Sequence, residues 1–355
     1  MNVTTQSATP MAQHRLEPGD RFPDFGLPDH AGTVRSLYQR ARGSGTAIFV
    51  DSDEALRGSL RSMAEAYKAA RLDSVLVDDR ARDAADAVSL ADPTGRFRQG
   101  LRGMIGRPAG PAGPWPLAIL LDRNQRILAV SDTGDPGGAS AGDLVRWALV
   151  RWSEQPPAAA GEIRQVAPVL TVPNVLSPAD CRALIARWHT EGHEAGSIMS
   201  VVNGKTVERY DDAVKKRRDH LLSDPAVRKP LMAMVARRLG PEVGKAFCFG
   251  SFRFDRVLIA CYDAGRGDHF WPHRDNTTPA TAGRRFALTL NLNSDEYDGG
   301  ELMFPEYGDY RYKAPAGAAV VFACSLLHEA LPVTRGQRFA LLSFLLDPAD
   351  PRAER

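Results

Sequence analysis

Eight short apolar runs, each bounded by turn residues, fill the last hundred positions of this 355-residue chain. They cover 252–262, 269–275, 285–293, 301–307, 310–313, 318–324, 328–334 and 337–346. Their lengths and alternating pattern predict strands. Asp298-Gly299-Gly300, Pro315-Ala316-Gly317 and Arg335-Gly336 mark three of the turns between them. Eight such strands in sequence predict a small β-barrel or jelly roll, closed so that few edges remain unpaired.

Two histidines and one aspartate fall at the ends of these strands. His273-Arg274-Asp275 lies in an aromatic stretch, His328 follows 53 positions after Asp275, and Arg338 comes ten residues after His328. Two imidazoles and one carboxylate can take three sites on an octahedral ferrous ion and leave three open, enough for a bidentate 2-oxo acid and O₂. An H-x-D triplet alone is also compatible with a surface turn. Its place among the strands favours the metal reading. Arg338 shares a strand face with Ala340, Leu342 and Phe344, so its guanidinium points inward and needs an anion. That anion is a bound carboxylate or, alternatively, a protein carboxylate such as Glu301. Thr289 and Asn291 share a face opposite Phe286, Leu288, Leu290 and Leu292, and either line the pocket or form an exposed strand face.

With these residues in place, the C-terminal half resembles the 2-oxoglutarate- and Fe(II)-dependent oxygenases, in their prolyl-4-hydroxylase-like branch. The resemblance covers roughly 165–347. It implies that His273, Asp275 and His328 are the iron ligands and that Arg338 pairs with the distal carboxylate of 2-oxoglutarate. Tyr262 with Gly265 looks like the Tyr-x-x-Gly ahead of the H-x-D, whose hydroxyl reaches the same carboxylate. Residues 299–305, Gly-Gly-Glu-Leu-Met-Phe-Pro, look like the family's Gly-Gly strand. The implied cofactors are Fe(II) and 2-oxoglutarate, with ascorbate as an accessory reductant. The implied reaction is hydroxylation of an unactivated C–H bond in a protein, peptide or amino-acid-derived substrate, with release of succinate and CO₂. Two departures stand out. The segment from Tyr262 to His273 is slightly longer than the usual spacing, and Phe270 sits where collagen-type enzymes carry a Tyr. Halogenating relatives lack the Asp of the triad; here Asp275 is present. A second reading keeps the barrel but not the turnover, as a metal-binding or O₂-responsive interaction module.

A net charge of +2 makes no general case for nucleic-acid binding. Lys215-Lys216-Arg217-Arg218 is one short basic run, read as a solvated helix face rather than an anion site. Of the four cysteines, Cys181, Cys248, Cys261 and Cys324, none forms a C-x-x-C pair, and all read as buried free thiols in a reducing compartment. The first 15 residues are polar, and no run approaches membrane-spanning length. A cytoplasmic protein is the expectation. His269 is kept from a helical metal pair by Pro272; His189, His193 and His220 read as surface residues, and Trp271 as core packing or a pocket rim.

The front half follows another pattern. A strand at 46–50, a helix at 54–71 and a strand at 74–77 precede the turn Asp92-Pro93-Thr94-Gly95 and a short helix. A hairpin of 117–121 with 127–130 and a helix at 143–152 complete it. This order resembles the thioredoxin-like fold; 18–37 looks like a peroxiredoxin entry, and Pro116 matches that fold's cis-proline. A peroxiredoxin needs a thiolate where the first helix begins. Here the chain reads Asp51-Ser52-Asp53-Glu54, and no Cys precedes Cys181. The domain is therefore expected to be redox-inactive and to serve docking, homodimerisation or substrate recruitment. The predicted organisation is a disordered 1–15, a thioredoxin-like α/β domain at 16–153, a Pro- and Ala-rich linker at 154–163, and an all-β double-stranded β-helix (jelly-roll) oxygenase domain at 164–355. Helices starting at Ser177-Pro178 and at Asp224-Pro225, the latter ending at Gly240-Pro241, are expected to brace the barrel.

Overall fold

The computed structural model describes residues 15–40, 43–83, 87–107, 115–134, 140–157 and 160–350. The segment 1–15 lies outside these residues except for Arg15, whose Nε donates to the Ile105 carbonyl at 3.2 Å. The chain divides into two compact units, 1–159 and 160–355. Among the described residues no helix is long and apolar enough to cross a membrane.

The first unit is thioredoxin-like. Its sheet has the order Val88–Ala91, Leu72–Asp78, Gly45–Val50, Leu117–Leu121, Ile127–Asp132. The first three strands run parallel, Leu117–Leu121 pairs antiparallel with Gly45–Val50, and Ile127–Asp132 pairs antiparallel with Leu117–Leu121. The central strand Gly45–Val50 is wholly buried, which suits a strand covered on both faces. Glu54–Ala70 starts where the Asp53 carboxylate accepts from the Leu56 N–H at 2.8 Å. Ala141–Ser153 starts at a Ser140/Asp143 capping box, two residues earlier than the apolar pattern predicts. The Val88–Ala91 strand is absent from the sequence reading; four residues carry too little periodicity to be seen. Among the described residues there is no cis peptide, so the Trp115–Pro116 bond is trans, against the cis-proline expectation. The Trp115 carbonyl is instead occupied as an acceptor for Arg102.

The second unit is a jelly roll. Its large sheet runs Leu170–Val172, Ala319–Ala323, Arg284–Asn291, Gln337–Leu346, Leu258–Asp263, Arg218–Leu221, Glu194–Ala195, with Arg253–Phe254 beside Gln337–Leu346. Its small sheet runs Lys215–Lys216, His269–His273, His328–Ala330, Leu302–Met303, Arg311–Tyr312. Strand alternation separates the two faces of the large sheet. Ile259, Cys261, Leu288, Leu290, Ala319, Val321, Phe339 and Leu341 pack with the helices Pro178–Glu191 and Pro225–Phe247. Leu258, Ala260, Tyr262, Val320 and Phe322 turn the other way and pack with Leu302, Phe304 and Ala330 of the small-sheet side. The site lies between the two sheets.

Ser177 caps the first helix through a box with Asp180, and Pro178 takes its first turn. The second helix does not stop at Gly240-Pro241 but continues to Phe247. Its buried stripe Met232, Val235, Leu239 and Val243 spans the proline, and packing against the sheet outweighs the lost hydrogen bond. Cys181, Cys261 and Cys324 are buried, as expected. Cys248 is exposed: it caps that helix in the left-handed region, φ 53°, where the chain turns away from the core. His220 is buried rather than superficial, with Nδ1 donating to the Gly192 carbonyl at 2.6 Å.

Candidate active site

His273 closes the strand His269–His273, and His328 opens the strand His328–Ala330; the two stand opposite each other in the antiparallel register. Just past the strand end, the Asp275 N–H donates to the Cys324 carbonyl at 2.9 Å, which turns its side chain toward both imidazoles. Asp275 Oδ1 lies 3.6 Å from His273 Nε2, and Oδ2 lies 3.3 Å from His328 Nε2. The three ligand atoms all fall within 4.8 Å of one another, close enough to share one metal ion. Each imidazole has its other nitrogen committed: His273 Nδ1 to the Trp271 carbonyl at 2.8 Å, His328 Nδ1 to the Leu326 carbonyl at 3.0 Å. A carbonyl only accepts, so both Nδ1 atoms carry the proton and both Nε2 lone pairs face the centre.

The electrostatics agree with that role. Burial alone would push the Asp275 carboxyl up, but His328 and His273 outweigh it and bring it down to about 2. Burial brings His328 down to about 4, against the pull of Asp275. At neutral pH Asp275 is therefore a carboxylate and His328 a neutral imidazole, the forms in which both can ligate a cation.

The trio opens on a cavity of about 410 Å³. Arg338, Tyr262 and Thr289 line it; Asn291 does not. Asn291 lies on the same strand face as Thr289 but deeper, where its Nδ2 donates to the Ala314 carbonyl at 2.8 Å, a link between chain segments rather than a pocket contact. Arg338 is 3% exposed, and its Nε finds no hydrogen-bond partner. Glu301 does not pair with it: Glu301 Oε2 is itself buried without a partner. The Tyr262 ring stands opposite Arg338 in the strand register, 5.1 Å from the guanidinium carbon. Thr289 Oγ1 is likewise buried and unpartnered. A buried cation and a buried hydroxyl with open hydrogen-bonding capacity, facing one cavity, fit a ligand carboxylate.

Residues 257–346 match the family model described as the 2OG-Fe(II) oxygenase superfamily. A PKHD-type hydroxylase of Cupriavidus metallidurans is 32% identical over 181 residues, 48% of this chain and 75% of that protein. The chain belongs to the 2OG-Fe(II) oxygenase superfamily. Among solved structures, a Pseudomonas putida prolyl-4-hydroxylase is 22% identical, covering 52% of this chain and 94% of that chain, with a TM-score of 0.40. Peroxidoxin BcpB of Mycobacterium tuberculosis is 18% identical, covering 39% of this chain and 97% of that chain, with a TM-score of 0.31. Membership makes the chain an Fe(II)- and 2-oxoglutarate-dependent oxygenase.

The oxygenase cavity holds residues that the sequence reading assigned elsewhere. Lys215 to Arg218 form no helix; they lie in the strands Lys215–Lys216 and Arg218–Leu221 and the bridge between them. With a period of two, Lys215, Arg217 and Asp219 fall on one face and turn inward. All three are buried, and Lys215 and Arg217 line the cavity. Arg217 Nη1 donates to the Tyr262 hydroxyl at 2.8 Å, and its Nε lies 2.8 Å from Asp219 Oδ1. The hydroxyl keeps its own proton free to donate. Lys215 Nζ donates to the Ser197 carbonyl at 2.6 Å and lies 3.7 Å from Asp219 Oδ2. Burial, then the Arg217 charge, bring this ammonium down to about 7. Basic composition hid the strand pattern; the period-two spacing of Lys215, Arg217 and Asp219 was the available signal. Trp271 is 39% exposed, so it is not core packing; it stacks on His269 at the surface.

In the first unit, Asp51 occupies the end of the Gly45–Val50 strand, at φ 56°. Its carboxylate is held by Arg98 and, at 3.0 Å, by Arg102 Nη2. Next to it the Ser52 hydroxyl donates to Asp78 at 2.7 Å, and Arg57 pairs with the same carboxylate at 3.0 Å. An ion-pair network thus occupies the end of this strand and the start of the following helix.

Proposed function

We propose that this oxygenase hydroxylates an unactivated C–H bond of a protein, peptide or amino-acid-derived substrate, with release of succinate and CO₂. The observation that supports it best is the pairing, in one cavity, of a ligand-ready His–Asp–His trio with a buried Arg338 that has no counter-ion among the described residues. When bound, Fe(II) would bind and activate O₂, the oxidant, with two of its four electrons coming from the decarboxylation of 2-oxoglutarate to succinate and two from the C–H bond that is hydroxylated. His273, Asp275 and His328 hold the metal, with both Nδ1–H groups locked on carbonyls so that the imidazoles cannot rotate away. Arg338 grips the distal carboxylate of the co-substrate, and the Thr289 and Tyr262 hydroxyls donate to it. Arg217 positions the Tyr262 hydroxyl. Leu258, Leu342 and Phe344 give the cavity an apolar wall that excludes water while the C–H bond is held near the metal. Ascorbate, in this reading, keeps the metal ferrous. The thioredoxin-like unit carries no thiol and serves substrate recruitment or homodimerisation.

Succinate formation from 2-oxoglutarate by the full-length protein with Fe(II), in the absence of added substrate, tests the catalytic reading. Slow, metal-dependent succinate release is expected. None at saturating Fe(II) and 2-oxoglutarate would leave the interaction-module reading in its place.

A further inference from the structure

We infer that the substrate of this oxygenase carries a carboxylate that pairs with Arg256 inside the cavity. The inference rests on the reading of the site above and extends it to the substrate. Six cationic side chains line the cavity, namely Lys215, Arg217, Arg256, Arg274, Arg284 and Arg338, against one carboxylate, Asp275. Most of the cations are matched from outside the lining. Arg274 Nη2 lies 2.7 Å from Glu306, and Arg284 Nε lies 2.9 Å from Asp255. Lys215 and Arg217 share the single carboxylate of Asp219. Arg338 is assigned to the co-substrate. Arg256 is left over: it is half-buried on the cavity wall and makes no hydrogen bond or ion pair among the described residues.

The loaded site does not remove this excess. The two carboxylates of 2-oxoglutarate balance the charge of a ferrous ion, and even without the partly neutral Lys215 the five guanidinium groups outnumber the four carboxylates of Asp219, Asp255, Asp275 and Glu306. Apolar walls around such a cavity concentrate its field and favour an anion. A neutral substrate would displace water from Arg256 and leave the guanidinium unpaired, which costs binding energy. A carboxylate would instead meet a planar fork of donors. About 410 Å³ is near the low end for small-ligand sites, and the co-substrate takes part of it. The substrate portion that enters is therefore about the size of one amino acid with its carboxylate, either free or at the C-terminus of a peptide.

The test is calorimetric titration of the full-length protein loaded with Zn(II) and 2-oxoglutarate, which does not turn over. The probes are the proteinogenic amino acids, their α-amides, and glycyl dipeptides with free or amidated C-termini. At least one carboxylate should bind, with its amide roughly tenfold weaker or more. Arg256→Gln should weaken the carboxylate roughly 10- to 100-fold and leave the amide unchanged, Arg256→Lys should recover part of the loss, and Arg311→Gln, an exposed cation outside the cavity, should change nothing. Preference for free amino acids over dipeptides, or the reverse, identifies the source of the carboxylate. The inference fails if amides bind as tightly as acids, if Arg256→Gln binds the acid like wild type, or if no carboxylate binds. Substrate-free succinate release by the Fe(II) enzyme separates this failure from failure of the catalytic reading.

Discussion

Arg338→Met separates binding of the co-substrate from stability of the fold. Arg338 is 3% exposed and has no counter-ion among the described residues, so its removal breaks no ion pair there. The loss to the apo protein is confined to one ring contact with Tyr262, about 1 kcal/mol, and is opposed by relief of a buried, uncompensated charge. The melting temperature of the apo protein should stay near wild type or rise. The co-substrate loses much more. Its distal carboxylate would remain buried with only hydroxyls to meet it, a cost of about 2–4 kcal/mol. At about 1.4 kcal/mol per tenfold, that is a rise of roughly 30- to 1,000-fold in KM for 2-oxoglutarate. Arg338→Lys should recover part of this, because an ammonium keeps the charge but not the fork. The assay is succinate formation against 2-oxoglutarate concentration, with thermal melts of the apo proteins alongside. An unchanged KM in Arg338→Met would refute the anchor and move attention to Arg217 and Tyr262. A large fall in melting temperature would show that Arg338 has a protein partner after all.

Three further outcomes are expected. His273→Ala, Asp275→Ala and His328→Ala should each abolish succinate formation with little loss of folding, because the two hydrophobic clusters of the jelly roll do not depend on the ion; wild-type activity in any one of them at saturating Fe(II) removes that residue from the ligand set. Lys215 has its folded pKa depressed to about 7, so between that value and the unfolded value of 10.5 the unfolded chain binds more protons and stability rises with pH. Unfolding free energies from urea titrations between pH 7 and 10 should therefore rise by on the order of 1–4 kcal/mol in wild type and be flatter in Lys215→Met; parallel curves would place the ammonium in water. Residues 16–153 expressed alone should fold and consume no peroxide, and Asp51→Ala should cost that fragment about 3 kcal/mol in chemical denaturation, because it leaves Arg98 and Arg102 without their shared carboxylate; peroxide consumption by the fragment would overturn the redox-inactive reading.

What the sequence determined was local. Period-two alternation in 258–263, 284–291, 319–323 and 337–346 needs no knowledge of the rest of the chain, since each strand sorts its own residues onto two faces. The same alternation shows that Arg338 points with Leu342 and Phe344, and the H-x-D spacing puts His273 and Asp275 near one another before any fold is known. Caps at Ser177 and Asp224 are equally local. Tertiary structure decided the rest. Thr289 and Asn291 share a face, yet only the depth of each along the strand, set by what the opposing segments place beside it, puts one in the cavity and the other on the Ala314 carbonyl. Pro241 ends a helix in isolation, but here Val235, Leu239 and Val243 pack against the sheet and carry the helix across it. The run Lys215-Lys216-Arg217-Arg218 reads as a solvated surface because burying a cation is costly. That cost is met by Asp219 two residues on, by the Ser197 carbonyl 18 residues back and by Tyr262 45 residues ahead, partners that only the folded chain brings within reach.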